Sequence, residues 1–373
     1  MTLGSGFFRK ESRPARDLSV LLARLQRRQA AEPLRWLDLM AGCGIRAVRW
    51  GLETSGCGSV PVHLHVNDAD PDRGPLLEAN LAKADLSAEI STMPAASLLA
   101  RAFLDGHCFD LIDLDAFGAS GALLQPVLQV LRFEGVLFLA STDGRSPTGH
   151  DRRGAVRSLG SAARAHPASW EMALRQQLGL VARQAWMLGR GVLPLLSFSE
   201  GRTFRLAVRL RRQLQPGEEE CLGLLARCEG CGAQRAQPLL KLREWPPCCC
   251  ADGRGRWTIS GPLWIGPLQD HATLAVLQSD PVLENRALIA TSSRRLLQRL
   301  AEDPGSPPLV WPTAELAKRL GCGGPPPLNQ LVQALHRKGF QAFASGLMAG
   351  QVRTDAALPV LLQTCSELRR EGP

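Results

Sequence analysis

The chain has 373 residues, with 45% hydrophobic and 21% charged side chains and a formal net charge of +9. That length leaves room for two domains at roughly 150 residues each, and no apolar run approaches the ~18 residues of a membrane-spanning helix. The positive balance suits a polyanionic partner, although only five of the 44 basic residues are lysines, so an arginine-rich genome is a second source of the arginine excess. The first ten residues hold no leader-like apolar core, and a cytoplasmic location is expected. Nothing points to an obligate protein partner, and no internal repeat or long disordered tract appears.

In chain order, apolar runs bounded by turn residues predict strands at 34–39, 62–66, 109–114 and 135–140, with helical stretches at 46–52 and 121–131 between them. Strands alternating with helices predict a parallel, doubly wound α/β sheet of the Rossmann-like kind. A strand pair follows at 192–198 and 204–210, around Ser199-Glu200-Gly201-Arg202. In its second strand Phe204, Leu206, Val208 and Leu210 point one way and Arg205, Arg209 and Arg211 the other, which predicts one core face and one wet, basic face.

The polar stretch 213–220 contains Pro216, Gly217 and three consecutive glutamates and marks a domain boundary, giving domains of 1–212 and 221–373. The second begins with a cysteine cluster at 228–250. An apolar run at 272–277 and a helix over 282–300 come next, then a proline-rich break at 304–308. Two short helices, 313–320 and 328–338, flank the Gly/Pro stretch 321–327.

Three strand ends carry the chemistry. Ala41-Gly42-Cys43-Gly44 follows the first strand and precedes a helix, so its small residues let backbone approach a ligand. A dinucleotide fingerprint is absent, because Ala47 stands where its third glycine would be. Asp38, just inside the strand, is better placed to receive an ammonium group, such as that of S-adenosylmethionine, than a pyrophosphate. Asp68 ends the second strand about thirty residues on, where a carboxylate can accept hydrogen bonds from a ribose diol; alternatively it is a helix cap ahead of Pro71. The third strand ends in Asp115-Ala116-Phe117-Gly118. The exocyclic amine of a base is a poor nucleophile because its lone pair is delocalised into the ring. Asp115 and the Ala116 carbonyl can accept its N–H bonds and aim the lone pair, while Phe117 stacks on the base. Together the three strand ends predict a methyl-transfer site, which needs positioning more than acid–base power.

Cys228-x-x-Cys231 followed by Cys248-Cys249-Cys250 resembles a four-thiolate zinc site of structural type. Cys248 and Cys250 are the preferred second pair, with Cys249 as the alternative. The seven histidines show no ligand spacing, and the lack of G-x-S-x-G disfavours a serine hydrolase.

These residues, in this order, resemble the tRNA N2,N2-dimethylguanosine methyltransferase family. Phe7-Phe8-Arg9-Lys10 and Ala15-Arg16-Asp17 stand where the family has F-Y-N-P and N-R-D. Its L-x-x-x-A-x-x-G-I-R-A is matched from Leu37 to Ala47, its N-D at Asn67-Asp68 and its I-D-L-D-P-F-G from Ile112 to Gly118. Gly189 to Ser199, Gly261 to Leu268 and Arg353-Thr354-Asp355-Ala356 match later signatures, so the resemblance covers nearly the whole chain. It implies a class I methyltransferase domain joined to a smaller α+β tRNA-binding domain, and methylation of the N2 amine of guanosine 26 once or twice. It further implies that Arg16, Arg46 and Asp68 bind S-adenosylmethionine, that Ala96 contacts it through its backbone, and that Asp115 receives the target amine. Asp38, Ala41, Gly42 and Gly44 complete the expected cofactor site. In three places the chain departs from the family: Ala116 replaces a proline, Ala95-Ala96-Ser97 replaces D-A-N, and no tyrosine is present. These departures predict a looser turn and weaker cofactor binding. A tRNA-binding relic without activity and an amino-methyltransferase acting on another nucleic acid are the competing readings.

Overall fold

A computed structural model describes all residues except 5–7, 249, 251–254, 322–323 and 372–373. The sequence motif position Phe7 and the alternative zinc ligand Cys249 therefore lie outside the described residues. The chain forms two compact units, one of Met1–Asp143, Val181–Leu214 and Asp270–Gln298, the other of Gly144–Leu180, Gln215–Gln269 and Arg299–Pro373.

The first unit alternates helix and strand: α1 (Arg13–Gln29), β1 (Leu34–Asp38), α2 (Ile45–Glu53), β2 (Val62–Asn67), α3 (Arg73–Lys83), β3 (Ala88–Ser91), α4 (Ala95–Leu104), β4 (Phe109–Ala116), α5 (Gly121–Val130) and β5 (Leu131–Ser141). After α6 (Arg152–Leu159) and α7 (Ser169–Met187) come β6 (Gly191–Glu200) and β7 (Thr203–Arg211). The seven strands form one sheet in the order β3-β2-β1-β4-β5-β7-β6. The first five run parallel, whereas β7 is antiparallel to both neighbours. The predicted parallel core and terminal strand pair are both present.

Parallel strands covered on both faces read as near-continuous apolar runs, the aspartates of β4 being the exception, and β4 and the second half of β5 are almost wholly buried. β3 escaped prediction because it is a half-buried edge strand of four residues with no apolar run. Trp36 of β1 and Trp50 of α2 lock one side of the sheet, edge to face at 6.0 Å and fully buried. Each indole finds an acceptor, Gln26 Oε1 and Ser19 Oγ respectively, both at 2.8 Å on α1.

Two expectations need correction. The face of β7 that carries Arg205 is not wet at that position: Arg205 is 3% exposed and Ala207 on the same face is buried too. Further along the same face Arg209 and Arg211 are half-buried, so the basic face opens only toward the end of the strand. After α8 (His271–Gln278), the predicted helix 282–300 is instead a single 3-10 turn, Pro281–Glu284, followed by α9 (Thr291–Glu302), which begins nine residues after the predicted start. Between them the Asn285 side chain accepts hydrogen bonds from the Ala287 and Leu288 amides, a local alternative to helical pairing.

The second unit is α+β. β8 (Leu222–Cys228), β9 (Gln234–Pro238) and β10 (Trp257–Trp264) form an antiparallel sheet with β8 in the centre. β11 (Val310–Pro312), β12 (Ala342–Ala344) and β13 (Gln351–Thr354) form another, packed with α10 (Thr313–Arg319), α11 (Leu328–Arg337) and α12 (Leu358–Glu371) around Trp311, Leu331, Leu335 and Leu361. Beside this core lies a closed cluster of charges. Arg353 donates from all three nitrogens to Asp303, Glu171 and the Pro307 carbonyl, at 2.6–3.0 Å. Arg175 caps the same Glu171.

Candidate active site

Reversal of strand order between β1 and β4 opens a crevice at the carboxyl ends of the strands. A cavity of about 790 Å³ fills it, lined by the loops after β1, β2 and β4, by Phe8, Arg9, Ser12 and Arg16 ahead of and within α1, and by Thr203 and Arg205 of β7. The expected Asp38, Ala41, Gly42, Arg46, Asp68, Asp115, Ala116 and Phe117 all line it. Ala95 lines it as well, with Ala96 next to it in the first turn of α4.

The loop after β1 is shaped by its glycines. Gly42 and Gly44 have φ of 58° and 75°, a conformation costly for residues with a Cβ, and a Cβ on Gly44 would come within 2.9 Å of Leu77. Gly44 caps α2, turning the chain so that the helix N-terminus faces the cavity. Asn67 ties the neighbouring loops: its amide donates to the carbonyls of Leu39 and Met93, both at 3.0 Å, and its oxygen accepts from Ser91 and the Met93 amide. Asp68 accepts from the Gly42 amide at 2.8 Å with one oxygen and from the Asp70 amide at 3.0 Å with the other. It therefore works as a loop tie, and its remaining lone pairs are available to a diol.

Register sets the electrostatics. Asp38 of β1 is paired with Asp113 of β4, and Asp115 lies two residues further on the same face. Asp38 accepts from the Ala47 amide at 3.2 Å. Burial raises its pKa to about 6, a rise that Asp115 and Asp68 reinforce and Arg46 opposes. Asp113 is pushed up to about 8 for the same leading reason, burial, with Arg46 again opposing. Arg46 lies across this row, Nε 3.0 Å from Asp113 and Nη2 3.0 Å from Asp115. Burial also works against ionisation of Asp115, yet Arg205 and Arg46 outweigh it and hold its carboxyl below the usual range.

Arg205 was not foreseen as a site residue. Its Nη1 lies 3.0 Å from Asp115 Oδ2 and its Nε 3.6 Å from Glu200. The ladder pairs Asp115 with Ala140 and Ala140 with Arg205, so the three form a row across β4, β5 and β7. Directly opposed residues share a face, and the small Ala140 lets the guanidinium of Arg205 pass over β5. An alternating strand in sequence does not reveal this, because the contact depends on two non-local registers, the parallel pairing of β4 with β5 and the antiparallel pairing of β5 with β7.

The turn after β4 is firm despite Ala116. That residue remains in the ladder opposite Ser141, and Gly118, with φ of 73°, donates to Thr142 Oγ1 at 2.7 Å. The Gly118 carbonyl accepts from Ser141 Oγ and the Thr142 amide. A proline would fix φ by its ring; here the end of β5 holds the turn. Phe117 stands at the rim with 79% of its surface exposed.

Arg16 makes no ion pair among the described residues. It is 9% exposed, stacks at 4.7 Å on Phe8 and donates to the carbonyls of Arg9 and Lys10. Burial lowers its pKa to about 10. A buried guanidinium facing a cavity fits a carboxylate ligand.

In the second unit, the sulfur atoms of Cys228, Cys231, Cys248 and Cys250 all lie within 4.8 Å of one another. Tetrahedral thiolates around zinc sit about 3.8 Å apart for Zn–S bonds of about 2.3 Å, so the preferred ligand set can hold such an ion. Gly255 abuts the cluster, and a Cβ there would come within 2.3 Å of the Cys228 sulfur.

A model of the family described as N2,N2-dimethylguanosine tRNA methyltransferase matches residues 4–366. Among relatives, the chain is 28% identical over 368 residues to the tRNA (guanine(26)-N(2))-dimethyltransferase of Methanosphaerula palustris, covering 96% of this chain and 91% of that protein. It is 25% identical over 360 residues to the Methanothermobacter thermautotrophicus protein of the same name, covering 95% and 91%. In fold it is similar to Trm1 from Pyrococcus horikoshii in complex with S-adenosyl-L-methionine, with a TM-score of 0.78, 24% identity and coverage of 96% and 94%. By a match that runs almost from end to end, the chain belongs to the N2,N2-dimethylguanosine tRNA methyltransferase family.

Proposed function

We propose that this protein transfers one or two methyl groups from S-adenosyl-L-methionine to the exocyclic N2 of guanosine 26 in tRNA. The observation that carries the reading is Asp115: a carboxylate kept ionised by two arginines, partly open to a cavity that Phe117 and Arg16 also line, Arg16 having no ion pair among the described residues. When bound, the cofactor supplies an electrophilic methyl group on a sulfonium.

Arg16 receives the cofactor's carboxylate, Asp38 its ammonium group and Asp68 its ribose hydroxyls, while Ala41, Gly42, Gly44 and Ala96 admit it to backbone distance. The target guanine is flipped out of its stack onto Phe117. Asp115 and the Ala116 carbonyl accept the two amine hydrogens and direct the nitrogen lone pair at the methyl carbon. As the nitrogen takes the methyl group in place of one hydrogen, the proton it gives up would pass to the Asp115 carboxylate already accepting its N–H bond, and from there to solvent. Arg46 acts chiefly by holding Asp113 and Asp115 in place. The second unit, which takes in residues 221–269 and 299–373 of the expected C-terminal domain, serves as the tRNA-binding domain, with the four-cysteine knuckle as a structural zinc site.

The test is incubation with unmodified tRNA and labelled cofactor, followed by nucleoside analysis and mapping of the modified position. Labelled N2-methyl- or N2,N2-dimethylguanosine at position 26 is expected. Methyladenosine, or tRNA binding without any transfer, would sink the proposal.

A further inference from the structure

β5 starts with Leu131-Arg132-Phe133, at the end of the sheet opposite the cavity, and Phe133 leaves 44% of its surface exposed. The guanidinium carbons of Arg190 and Arg212 lie 5.1 and 5.2 Å from its ring centroid. Arg190 immediately precedes β6 and Arg212 immediately follows β7. The ladder brings two more arginines to this end, pairing Arg211 with Gly191 and Arg209 with both Leu193 and Val136.

The balance of charge here is one-sided. Arg132 is answered by Asp110 at 3.5 Å, and Arg190 donates to the Leu128 carbonyl. Among the described residues, Arg209, Arg211 and Arg212 have no ion pair, and the neighbouring Glu134 forms none either. Like charges gathered without counter-charges destabilise the fold slightly unless an anion joins them. Stacking on an aromatic ring holds a guanidinium flat and leaves its donors free. Phe133 thus pre-orders two of the four, which lowers the entropy lost when they grip a ligand.

We propose that Phe133 and Arg190, Arg209, Arg211 and Arg212 form a second tRNA-contact surface that binds the phosphodiester backbone away from the target nucleotide. Phe133 lies in the irregular start of β5, and from Val136 the strand runs in regular register to Ser141, five steps or about 17 Å at ~3.3 Å per residue, before Thr142 reaches the cavity. The surface therefore touches a different part of the RNA from the base in the pocket and contributes to affinity, not to chemistry. This inference rests on the tRNA reading above.

Filter binding of an unmodified tRNA transcript to the full-length protein across a salt series tests it, beside calorimetry with S-adenosylmethionine. The double variant Arg211→Glu/Arg212→Glu should bind tRNA on the order of tenfold more weakly, and its log–log salt slope should fall by about two. Cofactor affinity and kcat at saturating tRNA should stay as in the wild type. Phe133→Ala, which removes no charge, should weaken binding about threefold with the slope unchanged. If the double variant melts early, Arg212→Gln carries the same test with a slope change of about one. Unaltered tRNA affinity and slope would overturn the surface while leaving the methyltransferase reading standing. A wild-type protein that retains no tRNA would overturn both. Polyglutamate competing as well as tRNA would overturn it in favour of an acidic protein partner.

Discussion

The two units each bury a cluster of arginines and carboxylates, and the clusters differ in whether they close. Around Arg353 the arrangement is saturated: all three guanidinium nitrogens are engaged, and Asp303 additionally accepts from the Gly305 and Gly346 amides. Around Asp115 it is open. Asp115 keeps 32% of its side chain exposed, and buried Arg46 Nη1 makes no hydrogen bond among the described residues. A saturated cluster leaves no polar atom over for a ligand; an open one holds a carboxylate charged and oriented while reserving part of it for a partner that is yet to arrive.

The largest contrast should appear in stability. Arg353→Met leaves Asp303 buried without its cation and Glu171 with Arg175 alone, and breaking such a buried pair costs about 3–5 kcal/mol. Denaturant titration should show this loss, while Arg46→Met, in a cluster open to solvent, should cost clearly less. Equal losses would erase the distinction between closed and open clusters.

Next in size is a change that touches neither charge. Ala140→Leu puts a branched side chain under Arg205 and takes one cation from Asp115. A misplacement of about 1 Å costs on the order of a hundredfold in rate, and kcat should fall accordingly with cofactor affinity held. The sign of the pH effect follows from the depressed pKa of Asp115: the active carboxylate form persists as pH falls below the usual carboxylate range. Losing Arg205 raises that pKa, so the acid limb of kcat/KM should move to higher pH. An unmoved limb would mean that Arg205 does not set the charge of Asp115.

The smallest effect belongs to the rim. Phe117→Ala removes a stacking surface worth about 1–3 kcal/mol per base. It should raise KM for tRNA with little change in calorimetric cofactor affinity or in melting temperature, since the ring is largely exposed. A large drop in melting temperature would show that the ring supports the turn and not the substrate.

These contrasts also show what was legible in the sequence. The central sheet was readable because buried parallel strands are near-continuous apolar runs, and the glycine loop because backbone approach excludes side chains. The strand-end carboxylates were readable from position alone. Arg205 was misread as a surface residue, because its place depends on two non-local registers and on the smallness of Ala140 between them. Arg353 was visible as a motif residue, but its role needed Glu171 and Asp303, far away in sequence. Asn285 ended a predicted helix through a side-chain hydrogen bond that periodicity does not encode.

The central claim is that Asp115 receives the target amine, and a single-turnover measurement tests it most directly. Wild-type protein and Asp115→Ala, each saturated with labelled S-adenosylmethionine and unmodified tRNA, are compared for the rate of the first methyl transfer. A loss of about a hundred- to a thousandfold with cofactor affinity intact is predicted, the scale seen when a preorganised electrostatic group is removed from an active site. A mutant that transfers methyl at the wild-type rate would contradict the account.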